Sequence, residues 1–142
     1  PLPTLQQTLH DPSLPLTEKM TALFTLRHLA TPEAIDILSN SMYDNSALLA
    51  HEAAYCIGQT QNANGIPALI DVLKNEEIDS MVRHEAAEAM GAIGDEKALE
   101  VLEMYKDHHL SEACWFFLFC IFFGSFVFFF VIFFGFFVNI LD

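Results

Sequence analysis

The sequence predicts an all-α protein: a solenoid of stacked helical hairpins followed by a Phe-rich hydrophobic helical tail. Three observations predict it. A segment repeats at an offset of 33 residues, each copy divides into two helical patterns joined by a short break, and no stretch sustains the two-residue alternation of a strand.

The repeat is plainest where His51-Glu52-Ala53-Ala54 is set beside His84-Glu85-Ala86-Ala87, and the same offset carries Gly58 onto Gly91 and Ile66 onto Leu99. An earlier copy appears with small shifts, Ala34-Ile35-Asp36-Ile37-Leu38 against Leu69-Ile70-Asp71-Val72-Leu73. Units of this length cannot bury an apolar face alone and must stack, which is an α-solenoid of the HEAT type with a somewhat short repeat.

Along the chain, Pro1 to Leu16 holds four prolines and no apolar run, so no secretory signal opens it. A start at proline rather than methionine is what a processed or incomplete product would show. A helical stretch follows around Leu23 to Leu29. Thr31 is placed to cap the next helix, with Pro32 in its first turn, where a missing amide hydrogen costs nothing. Asp79 or Ser80 caps a helix running to about Ile93, whose apolar face is Val82, Ala86, Met90 and Ile93. Gly94 stops that helix and Asp95 starts another. A repeat domain over 1–114 and a tail over 115–142 are the expected divisions.

Nineteen acidic residues against six Lys and Arg give a formal charge of −13. That excludes a nucleic-acid partner, whose phosphates select for Lys and Arg. It suits a basic partner, since opposite fields speed encounter, and it equally serves solubility alone. Cys56, Cys114 and Cys120 form neither an even framework nor a C-x-x-C pair, as in a reducing compartment, and a cytoplasmic location is expected. No nucleophile triad or phosphate-binding glycine loop is present.

The chemistry-bearing residues occupy one position in two neighbouring repeats. His and Glu adjacent on a helix project about 100° apart, but a long Glu side chain can swing toward a metal held by its neighbour. Packed helices lie roughly 8–10 Å apart, so equivalent histidines on stacked repeats can reach one ion. Two His and one carboxylate with open positions is the arrangement of non-haem Fe(II) oxygenases, and it would suit zinc too. Ala54 and Ala87, then Gly58 and Gly91, keep the same stripe small, which implies close backbone approach or a cavity. His10, His28, His108 and His109 lack such pairing and read as surface residues.

At these residues the chain resembles the deoxyhypusine hydroxylase family. The resemblance is carried by Ala22-Leu23-Phe24-Thr25-Leu26-Arg27, by Asp44 through Gln59, by Met81-Val82-Arg83-His84-Glu85-Ala86-Ala87 and by Gly91-Ala92-Ile93-Gly94-Asp95, and extends over roughly Leu5 to Cys114. It implies the N-terminal half of a HEAT-repeat di-iron monooxygenase, carrying two of the family's four His-Glu motifs. The reaction implied hydroxylates the deoxyhypusine side chain of a translation factor to hypusine, with dioxygen as co-substrate. It implies iron ligands at His51, His84 and Glu85, and places Glu52 beside the metal to hold the cationic substrate amine. With two motifs the chain holds a half-site, which two copies about a two-fold axis would complete as a homodimer.

After Cys114 the chain departs from the family. Trp115 to Val138 carries no charge and 13 of the 14 Phe residues. About 20 apolar residues span a bilayer, so this segment reads as a transmembrane helix with the repeats facing the cytoplasm. The preferred reading is a thymine-rich non-coding stretch translated in frame, from a mis-joined gene model or a retained intron. The competing functional reading is a non-catalytic HEAT-type interaction scaffold, membrane-anchored if the 115–138 segment inserts. Bilin-lyase repeats share its Ala-Ala-x-x-x-Gly rhythm, and the matched His-Glu pairs discriminate against it.

Overall fold

The computed structural model describes residues 1–105. They form α1 (Leu2–His10), α2 (Leu16–Leu29), α3 (Pro32–Ser41), α4 (Ala47–Thr60), α5 (Ile66–Lys74), α6 (Ser80–Ile93) and α7 (Glu96–Tyr105), with a 3₁₀ turn at Ala63–Gly65 before α5. Among the described residues there is no strand. The expected tail, with His108 and His109, lies outside the described residues. None of the described helices is long and apolar enough to cross a membrane.

The long helices α2, α4 and α6, of 14 residues each, alternate with the shorter α3, α5 and α7. The long ones lie side by side, α2 on α4 and α4 on α6, and the short ones pack against them, α3 on α2 and α4, α5 and α7 on α6. That is the solenoid of helical hairpins the repeat predicts.

Helix boundaries follow local chemistry. Thr31 Oγ1 accepts from the Ala34 amide at 3.3 Å, and Pro32 sits in the first turn of α3. Ser46 caps α4 through the Leu49 amide at 3.3 Å. Of the two candidate caps for α6, Asp79 serves, accepting from the Met81 amide at 2.8 Å. Gly94 ends α6 with φ of 72°, as expected. The equivalent stops of α2 and α4 use Ala30 and Gln61 at φ of 48° and 51°, where a side chain costs roughly 1–2 kcal/mol. Asn62 Nδ2 donates to the Ala30 carbonyl at 3.3 Å and so ties one such stop to the next hairpin.

Helix α1 was not anticipated. Pro3 falls in its first turn, where it is tolerated, and Leu2, Leu5 and Leu9 keep helical spacing onto the core, Leu9 fully buried. On α6, Val82, Ala86 and Met90 are buried and Ile93 packs partly buried against the core, the face the periodicity predicts.

Among the described residues the α4–α6 contact is the most extensive. A Cβ on Gly58 would stand 2.8 Å from the Ala89 Cα, so the two backbones touch there. Ala53 and Ala54 on α4 and Ala86 and Ala87 on α6 are all buried. The repeated glycine marks close approach at Gly58, one of the two alternatives open from sequence.

Candidate metal centre

His51 stands five residues after the cap Ser46 on α4, and His84 five after the cap Asp79 on α6. Identical placement from the helix start, combined with the tight α4–α6 seam, sets the two His-Glu pairs on one edge of that seam. His51 Nε2 lies 3.1 Å from Glu85 Oε2, a contact that bridges consecutive repeats. On the other side of the ring, Nδ1 lies 3.5 Å from Glu52 Oε1, an ion-pair distance without hydrogen-bond alignment, so this buried nitrogen has no hydrogen-bond partner. The flanking Glu52 and Glu85 carboxylates raise the His51 pKa to about 10 against the desolvation that opposes it.

Glu85 is the one charged side chain buried among the described residues, at 7% exposure. Burial raises its pKa, and the His51 imidazole counters that. A lone ionised carboxylate in such a place would be costly, and the protonated His51 ring 3.1 Å away offsets that cost.

His84 is not brought into contact with His51 or Glu85. Its Nε2 lies 3.3 Å from Glu88 Oε1, one turn along the same helix, and this carboxylate raises the His84 pKa. Among the described residues no three His, Cys, Asp or Glu side chains converge as a group able to hold a metal ion. The predicted set is thus two neighbours, His51 and Glu85, with Glu52 on the far side of the ring and His84 half-exposed on Glu88.

The donor chemistry still fits an Fe(II)-type ion: imidazole nitrogens and carboxylate oxygens. Two adjacent ligands at about 2.1 Å from one ion stand roughly 3.0–3.4 Å apart. The 3.1 Å between His51 Nε2 and Glu85 Oε2 falls in that range. The orphaned Nδ1 of His51 is a further polar atom without a protein hydrogen-bond partner.

A small pocket opens beside these groups, lined by Tyr55, Gly58 and Gln59 from α4 and Glu85, Glu88 and Ala89 from α6. Sequence reasoning passed over Glu88, Tyr55 and Gln59. The i, i+4 spacing of His84 and Glu88 was the signal for the first. His10 and His28 behave as surface residues, each ring bonded to the carbonyl four residues back, at 2.8 and 2.6 Å.

Comparison with known proteins matches residues 40–112 to the HEAT-repeat family model. Human deoxyhypusine hydroxylase is 53% identical over 106 residues, which cover 75% of this chain and 35% of the human protein. The Emericella nidulans deoxyhypusine hydroxylase is 45% identical over 113 residues, 74% of this chain and 34% of the fungal one. The chain therefore spans about a third of the length of these curated relatives. Among solved structures, human deoxyhypusine hydroxylase in complex with glycerol superposes with a TM-score of 0.81 at 46% identity, over 84% of this chain and 43% of that one. The CpcE–CpcF phycocyanin lyase complex of Nostoc shares the fold alone, with a TM-score of 0.59 at 23% identity over 76% of this chain and 42% of that one.

Proposed function

This chain belongs to the HEAT-repeat family, with repeats of the deoxyhypusine hydroxylase type, and on that premise we propose that it forms the N-terminal half of an iron-dependent monooxygenase site. The substrate is the deoxyhypusine side chain of a translation factor, converted to hypusine. The observation that carries this reading is the His51–Glu85 contact of 3.1 Å across two consecutive repeats. It joins the two His-Glu motifs at a distance two ligands of one ion would also keep.

His51, His84 and Glu85 would hold the metal. Iron bound there would supply the activation of dioxygen that hydroxylation of an unactivated carbon requires. The protein's own part is positional. Glu85, held buried by the α4–α6 seam, keeps its carboxylate at the His51 ring. Glu52, on the other edge of the same ring at 26% exposure, would leave His51 to pair with the ammonium group of the substrate. A chain of net charge −13 would draw a basic protein surface toward this face.

The experiment is the iron content of the purified chain beside His51→Ala and His84→Ala variants. Iron retained by the parent and lost in both variants is the expected result. A parent that holds no more iron than the variants would overturn the metal reading. The scaffold reading would then take its place, supported by Leu48 and Met81. These lie 33 residues apart, one turn before each His, and remain 48% and 43% exposed.

A further inference from the structure

His51 and His84 are repeat-equivalent, yet they are held in different ways. The His51 ring is flanked by Glu52 and Glu85 and is 25% exposed. The His84 side chain is 48% exposed, and the ion pair that holds its ring is the one with Glu88. Glu88 is the less exposed partner at 22% and lines the pocket beside Glu85, so it is the better anchored of the two.

The repeat itself makes this asymmetry. The position 33 residues before Glu88 is Tyr55, which carries no carboxylate. On α4 the ring is met from the neighbouring helix by Glu85, whereas on α6 it is met from its own helix, four residues on. Four residues is the spacing at which helical side chains stand one above the other. Histidines that serve as metal ligands are commonly oriented by a carboxylate that is not itself essential to the chemistry.

We propose that Glu88 is the positioning residue of His84: its carboxylate, 3.3 Å from Nε2, fixes an otherwise free imidazole on the pocket side of α6 before any metal arrives. The proposal rests on the metal reading of His84 for its purpose, and on the His84–Glu88 geometry alone for its substance. Glu88 touches no reacting atom in this role and acts through the ring it holds.

The test uses the full chain as parent, Glu88→Ala and Glu88→Gln, with two readouts. In the metal-free protein, three-bond couplings to the His84 side chain report its rotamers. One rotamer is expected in the parent, averaged rotamers in Glu88→Ala, and a restored single rotamer in Glu88→Gln, whose amide oxygen still accepts. Titration with cobalt(II), read by its absorption bands, should then weaken about ten- to hundred-fold in Glu88→Ala, with Glu88→Gln between. Melting temperatures should stay together across the three proteins. Averaged His84 rotamers in the parent, or equal cobalt affinity in parent and Glu88→Ala, would overturn the inference. So would a joint loss of affinity and melting temperature in Glu88→Ala that Glu88→Gln does not restore. A parent with an ordered His84 that binds no cobalt leaves Glu88's hold on the ring standing and sinks the metal reading instead.

Discussion

His51 sits between two carboxylates, and that arrangement governs both its proton and its metal. The Glu52 and Glu85 carboxylates bring its pKa from 6.5 to about 10. The raised value means that this group's stabilisation is fully present below pH 6.5 and is lost as pH rises through about 10. Melting temperature of the metal-free protein should therefore fall between pH 7 and 10, and His51→Gln should flatten that slope. A metal needs the neutral ring, so binding near neutral pH must displace the His51 proton. Calorimetry in buffers of different ionisation enthalpy should read a release of about one proton or more per metal bound, with affinity rising toward pH 10. Affinity independent of pH across that window would remove His51 from the ligand set.

The helices place these residues, and their caps and seam are where the placement can be broken. Gly58→Ala puts a methyl group 2.8 Å from the Ala89 Cα, which is backbone and has no room to yield. Forcing α4 from α6 should cost about 1–3 kcal/mol in denaturant unfolding and weaken metal binding as well, because the His51–Glu85 contact crosses that seam. Asp79→Ala removes the α6 cap and should cost about 1 kcal/mol with the seam intact. Comparison of the two separates a loss of stability from a loss of site geometry. If both variants bind metal with equal affinity, the seam is not what sets the site.

Among the described residues the solenoid offers two histidines on its site-bearing edge, whereas the di-iron centre that the sequence resemblance implies would need more ligands than that. We propose that two copies meet about a two-fold axis, each contributing His51, His84 and Glu85. A net charge of −13 per chain opposes such a pair at low salt, and bound cations reduce the opposition. Light scattering of the full chain should show a dimer fraction that grows with added iron and with salt. A strictly monomeric species with and without iron would dispose of the two-fold site.

The repeat period, the helical hairpins and the matched placement of the two His-Glu pairs were legible in the sequence, because a solenoid encodes each unit locally. Equal spacing from the caps Ser46 and Asp79 puts His51 and His84 in register without long-range information. Helix α1 was hidden by its prolines, and the stops at Ala30 and Gln61 by the lack of glycine. Which carboxylate meets which imidazole was decided only by the tertiary structure. Glu85 reaches His51 because small residues let α4 and α6 touch at Gly58, an approach no single-helix pattern reports. His84 meets Glu88 instead, the carboxylate one turn along its own helix.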